Sequence, residues 1–239
     1  MDWFSYLIAG VMVYLAVAIF LFGMAYQVVQ WLRSPGARVK TGVFPKPNHA
    51  LSRWLRVGID SFTFPDALKM DRWIWGVTIL FHFGLLGAFV GHLRLVREFT
   101  FLVALIGPGG MDQLGLWGGG VMGILLMVGL VYFLLRRLGY PYREISIPED
   151  YILLFLLMVV VLLGNIMRFF GDVHTPDYRS YLQSLIVFRP AFPPALGDSP
   201  TKWTLVLHVL FANLLLIYLP FSKLIHMIAT FPANLARRV

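Results

Sequence analysis

The sequence predicts an all-α integral membrane protein: a bundle of five transmembrane helices, with the N-terminus outside and the C-terminus in the cytoplasm. Three observations carry that prediction. Of 239 residues, 59% are hydrophobic and only 13% are charged, whereas soluble domains run near 45–50% apolar and about 25% charged. Five runs free of Asp, Glu, Lys and Arg come near the roughly 20 residues that a helix needs to cross a bilayer. The basic residues are divided very unequally between the two sets of connecting loops.

The runs are Trp3 to Leu32, Trp73 to Leu93, Gln113 to Leu135, Tyr151 to Met167 and Trp203 to Ser222. Trp or Tyr stands at or near most of their ends, where interfacial anchors belong. They are continuous, not alternating ten-residue segments, so they read as helices and not as strands of a barrel. The first lacks a basic n-region and a small-residue cleavage site, so it reads as a retained span. The fourth extends past Arg168 if that side chain snorkels. The resulting helices cover about 3–32, 73–95, 113–137, 150–170 and 203–230 of a single membrane domain, joined by a cytoplasmic loop at 33–72 and an outer loop at 171–202.

Orientation follows from Lys and Arg near the span ends. Arg33, Arg38, Lys40, Lys46, Arg53, Arg56, Lys69, Arg72, Arg136, Arg137, Arg143, Lys223, Arg237 and Arg238 fall on one side; Arg94, Arg97, Arg168, Arg179, Arg189 and Lys202 fall on the other. Fourteen against six places the first side in the cytoplasm of a multi-pass protein of the cell inner membrane. The formal charge of +8 is thereby explained by topology in membrane lipid, and nucleic acid is not an expected partner. The 33–72 loop, with Pro35, Pro45, Pro47 and Pro65, is long for a connection and reads as a docking surface for a cytoplasmic partner. The outer segment carries Pro190, Pro193, Pro194 and Pro200 and is expected to cover the outer helix ends.

The chain has no cysteine, which excludes disulfides, cysteine-held iron–sulfur clusters and covalent haem attachment. Histidine takes the central place. Four of six lie in two spans: His82 and His92 in the second, His208 and His226 in the fifth. Ionisable residues at membrane depth are costly and mark function more often than packing, although for any one of them a hydrogen bond to a neighbouring helix is the competing reading. At about 1.5 Å per residue the first two are about 15 Å apart along their helix and the second two about 27 Å. With antiparallel spans, His92 stands with His208 on the outer side and His82 with His226 on the inner side, two bis-histidine sites stacked across the membrane. The unequal spacings must be absorbed, by a kink at Pro220 between His208 and His226 together with different helix tilts and tilted ligand planes. Eighteen residues at 100° each return His226 nearly to the face of His208.

Glycines at 84, 87 and 91, and at 118, 119, 120 and 123, permit either a flat ligand or close helix packing. If the histidine sites hold haem in a quinone-linked protein, as the resemblance of the two histidine segments described next implies, Arg94 and Arg97 are candidates for haem propionates or a quinone head group, with snorkelling as the alternative, and Gly91 and Arg94 form the candidate quinone site. Lys223 has the same two readings for the inner site. His174 is a candidate proton acceptor from quinol, His49 reads as a surface residue, and Asn165 and Asn213 read as interhelical hydrogen-bond donors.

The stretches LFHFGLLGAFVGHLRL (Leu80 to Leu95) and LHVLFANLLLIYLPFSKLIHM (Leu207 to Met227) resemble the second and fifth helices of the gamma, cytochrome b, subunits of respiratory nitrate reductase and their sulfur-metabolising relatives. The resemblance implies two haem b groups: an inner one on His82 and His226 and an outer one on His92 and His208, all through iron. It also implies menaquinol or ubiquinol as substrate and a cytoplasmic iron–sulfur partner subunit, heterodisulfide-reductase-like or nitrate reductase beta-like. The family's outer loop before helix three carries a lysine at the quinol site, whereas this sequence has Gly109, Gly110, Met111, Asp112 and Gln113 there. With the long 33–72 loop, that departure favours the branch resembling the membrane cytochrome of the complex that serves dissimilatory sulfite reductase. The expected function is the quinol-oxidising, or quinone-reducing, subunit of an oxidoreductase complex. Two alternatives remain: a non-redox membrane anchor for a soluble catalytic subunit, and a proton-relaying transporter, for which the spans offer no acidic partners.

Overall fold

Among the described residues of the computed structural model (1–33, 50–171, 174–197 and 199–236), every regular element is helical, and five helices are long and apolar enough to cross a membrane. They are Trp3–Arg33, Arg72–Leu93, Thr100–Leu138, Pro148–Phe170 and Lys202–Phe221. Most of their apolar residues lie outside any internal core: of the most apolar stretch, only 11% of the second span and 17% of the fourth is buried within the chain. Side chains such as Phe22, Leu135 and Phe155 are largely exposed. A helix apolar all round that neighbours do not cover is stable only with hydrocarbon outside it. The chain is a multi-pass membrane protein.

Two helices depart from the expected bounds. The third begins at Thr100 instead of 113, because residues 100–113 are helical apart from a kink at Gly107 (φ 72°, ψ 168°) followed by Pro108. Proline cannot continue the preceding hydrogen-bond ladder, and glycine takes the positive φ that results. The fifth does not continue to 230. It ends at Tyr218 and passes through short 3₁₀ turns at Leu219–Phe221 and Lys223–Ile225, with Ser222 extended between them, before a new helix runs His226–Ala236. Pro220 stands in the break and Ser222 Oγ stabilises it, accepting from Leu224 N at 3.2 Å and donating to Leu219 O at 3.1 Å. The kink expected at Pro220 is thus a complete interruption. Helical periodicity is lost between His208 and His226, and the shared-face argument for those two residues fails with it.

The chain divides into two compact units: Met1–Val17 with Leu80–Leu215, and Ala18–Ile79 with Leu216–Val239. In the first, the segment between the fourth and fifth spans is not a plain loop, since Thr175–Ile186 forms a cap helix. Tyr181 and Leu185 from this cap join Ile8, Ala9, Leu196, Leu205 and Val206 in a buried cluster. The first span opens there into a π-helical stretch, Leu7–Met12, which disturbs the regular backbone ladder. Neighbouring side chains answer it: the Tyr181 hydroxyl donates to Ala9 O and Asn213 Nδ2 to Ile8 O at 3.2 Å. The third and fourth spans pack through glycine. Asn165 Nδ2 donates to Gly123 O at 3.1 Å, and Gly120 lies against Phe169. Both asparagines are therefore interhelical donors, as their sequence setting suggests.

In the second unit, the sequence between the first two spans contains the helices Ala50–Thr63 and Pro65–Met70. Gly23 lies against the Pro220 ring, where a Cβ would come within 2.7 Å of Pro220 Cβ, and Gln27 Nε2 donates to Pro220 O at 3.0 Å. His49, Arg38, Lys40, Lys46, Pro35, Pro45, Pro47, Arg237 and Arg238 lie outside the described residues.

Candidate functional site

His92 is one residue from the end of the second span, and its exposed ring bonds through Nδ1 to Ala88 O at 2.7 Å, one turn back. His208 lies in the first half of the fifth span, with Nδ1 3.1 Å from Val160 O of the fourth. Gly164, one turn beyond Val160, makes room for this ring: a Cβ there would stand 3.3 Å from His208 Cε1. A carbonyl oxygen can only accept, so in both residues the bonded Nδ1 carries the proton and Nε2 carries the lone pair. Metal-ligating histidines are oriented in this way, with one ring nitrogen anchored and the other presented. Among the described residues there is no cluster of three or more His, Cys, Asp or Glu suited to hold a bare metal ion. A haem held between two histidines would need no such cluster, because its porphyrin would supply the remaining ligands.

His226 shows the same tautomer logic. It opens the last helix, and Nδ1 bonds to Lys223 O at 2.9 Å, so Lys223 contributes to the ring through its backbone. His82 packs edge-on to Phe81, whose ring meets Phe133 at 5.5 Å. His82 belongs to the first compact unit and His226 to the second.

The glycines divide by role. A Cβ at Gly84 would lie 3.0 Å from Met122 O, and one at Gly87 would overlap the Met122 side chain, so both serve packing against the third span. Nothing stands within 4 Å of the corresponding point at Gly91.

Arg94 is heavily committed. Nε donates to Glu98 at 2.7 Å, Nη1 to Met111 O at 3.1 Å and Nη2 to Asp112 at 2.9 Å. Arg179 of the cap helix completes the cluster, pairing with Glu98 and donating through Nε to Arg94 O at 3.0 Å. The Arg94 guanidinium holds the Glu98 carboxyl below the usual carboxylate range, with burial opposing and Arg179 assisting. Tertiary structure thereby brings a basic group to Met111 and Asp112, the region whose own sequence has none. Glu98 escaped the sequence reading and Arg179 entered it only as a basic residue counted for orientation; the signal in the sequence was a lone acid beside Arg94 and Arg97. His174 pairs with Asp177 at 3.1 Å and lines a cleft of about 410 Å³ with Phe170, Tyr178 and Thr201.

Residues 54–239 match the family described as the nitrate reductase gamma subunit. The chain belongs to that family. Within it, the chain is 27% identical to the Hdr-like menaquinol oxidoreductase cytochrome b-like subunit of Archaeoglobus profundus, over 89% of this chain and 73% of that one. It is also 27% identical to the subunit of the same name from Archaeoglobus fulgidus, over 92% and 76%. To the respiratory nitrate reductase 1 gamma chain of Escherichia coli it is 28% identical, over 74% and 82%. As a member of the nitrate reductase gamma subunit family, the protein is a membrane electron-transport subunit of cytochrome b type that works within an oxidoreductase complex.

Proposed function

We propose that this protein is a dihaem cytochrome b subunit that carries electrons between membrane quinol and a cytoplasmic iron–sulfur partner subunit. The observation that supports the reading is that His92 and His208 each have Nδ1 fixed by a backbone carbonyl, which leaves Nε2 for ligation. In this reading these two hold the outer haem, and His82 with His226 hold the inner one; for the inner pair the warrant is the sequence pattern and the anchored ring of His226. When bound, a b haem supplies reversible one-electron chemistry. The protein's residues fix ring orientation, exclude water and set the surrounding dielectric.

Quinol is taken at the outer face beside Gly91, the one glycine of its span's 84, 87 and 91 set that opens onto free space. Arg94 positions that edge through Glu98, Met111 and Asp112. Protons leave on the outer side. The names and coverage of the Archaeoglobus relatives favour menaquinol and a heterodisulfide-reductase-like partner over a nitrate reductase beta-like one.

A reduced-minus-oxidised spectrum with pyridine haemochrome quantification tests the assignment. Two b haems per chain are expected in the wild type. His92→Ala and His208→Ala should remove one and the same haem, and His82→Ala and His226→Ala the other. A folded wild type without haem would return the protein to the role of a non-redox anchor.

A further inference from the structure

The Ala50–Thr63 helix has three distinct faces. At 100° per residue, Val57 and Ser61 form a buried flank. That flank lies toward the His226–Ala236 helix, where Asn234 Nδ2 donates to Ser61 Oγ at 3.0 Å and Phe62 meets Phe231 edge-on. Arg53, Arg56 and Asp60 form a polar face. Leu51, Trp54, Leu55, Gly58, Ile59 and Phe62 form the third, and its large members are exposed: Leu51 by 82%, Leu55 by 63%, Trp54 by 55% and Ile59 by 48%. A contiguous apolar face of this kind marks an interaction surface.

We propose that this face is seated in the headgroup region of an anionic lipid leaflet, at the end of the bilayer where the second span begins. Fourteen residues give about 21 Å of helix, too short to cross a hydrocarbon core of about 30 Å. An amphipathic helix of basic polar face and Trp/Leu apolar face lies in the interface plane. Its depth is fixed by the chain itself: Trp75 Nε1, one turn inside the second span, donates to Thr63 O at 2.7 Å. The end of the helix therefore sits at the level where that span meets water, beside the exposed Trp73, as interfacial aromatic residues do. Charge fits the same occupant, with eight Lys and Arg against three Asp between Arg33 and Arg72, an excess that attracts anionic lipid. The adjoining last helix exposes Met227, Ile228 and Phe231 and extends the apolar surface. The proposal is independent of the haem assignment.

Because the chain has no cysteine, single nitroxide labels can be placed cleanly. Leu51→Cys, Leu55→Cys and Ile59→Cys report the apolar face, and Arg56→Cys and Asp60→Cys the polar one. The full chain is reconstituted in nanodiscs of phosphatidylglycerol or of phosphatidylcholine, after each variant elutes as the wild type does. Collision with dissolved oxygen should exceed collision with a water-soluble nickel chelate severalfold at Leu51, Leu55 and Ile59, with the reverse at Arg56 and Asp60. Immersion should be deeper in phosphatidylglycerol. Nickel-dominated relaxation on both faces would overturn the proposal, as would an apolar face shielded from both relaxants, which would indicate protein cover. Equal immersion in the two lipids would overturn the anionic requirement.

Discussion

Gly123 and Asn165 meet between the third and fourth spans, and each constrains the other. A Cβ at Gly123 would fall on the Asn165 carboxamide, so Gly123→Ala forces that side chain out and should cost about 1–3 kcal/mol, the usual range for overpacking. Asn165→Ala removes one interhelical donor, worth about 0.6–2 kcal/mol in membrane proteins. Because the two act on one contact, the double variant should lose clearly less than the sum of the singles. Thermal unfolding in detergent followed by circular dichroism checks this, and strict additivity would show that the contact is not shared. Gly164 supplies a second test at this scale. Gly164→Ala puts a Cβ 3.3 Å from His208 Cε1 and asks for a shift of a few tenths of an ångström. Gly164→Val adds branches that the ring cannot avoid. We expect Gly164→Val to lose the haem that His208→Ala loses while the helical signal persists, and Gly164→Ala to keep it.

The cap helix Thr175–Ile186 depends on two kinds of contact that respond differently to solution conditions. One is apolar: Tyr181 and Leu185 bury against the first and fifth spans. Burial pushes the Tyr181 hydroxyl far above its ordinary range, so it remains a donor to Ala9 O at every working pH. The other is ionic, Glu98 between Arg94 and Arg179. Glu98 titrates lower in the folded protein than in the unfolded one. Its contribution is therefore fully present above the ordinary glutamate value of about 4.3 and is lost as pH falls through the lower folded value. Amide protection over residues 175–186, taken relative to the intrinsic exchange rate, should fall at acid pH below the ordinary glutamate value, before the spans themselves lose protection. Glu98→Gln should show that lower protection already at neutral pH. Equal protection of Glu98→Gln and wild type at neutral pH would assign the docking to the apolar contacts alone.

Orientation is an expectation drawn from the whole chain, since one set of loops and span ends carries fourteen basic residues and the other six. It predicts that Tyr140, 88% exposed between the third and fourth spans, faces the cytoplasm, and that Val187, 62% exposed after the cap helix, faces outward. In intact cells a membrane-impermeant maleimide should label Val187→Cys and leave Tyr140→Cys unlabelled until the membrane is opened; the opposite pattern would invert the topology. Within that frame, the ion pair of Arg137 with buried Asp150 at 2.8 Å closes the turn between those spans, and Asp150 also accepts from Ile147 N at 3.2 Å to cap the fourth.

Helical class, number of spans and the histidine-bearing segments were legible in the sequence, because the cost of placing charge and open backbone in hydrocarbon acts residue by residue and leaves long uncharged runs. The donor roles of Asn165 and Asn213 were legible for the same reason: an amide at membrane depth must find a partner. The break between Tyr218 and His226 was only half legible. Pro220 announces a disturbance, but whether the helix bends or stops depends on Gly23, Gln27 and Ser222 taking up the altered backbone. The role of Arg94 was invisible, since Glu98 lies four residues away but Asp112 and Arg179 lie 18 and 85 residues away. Local sequence fixes what a segment must avoid in a bilayer; which polar groups satisfy one another across such separations is decided only when the helices pack.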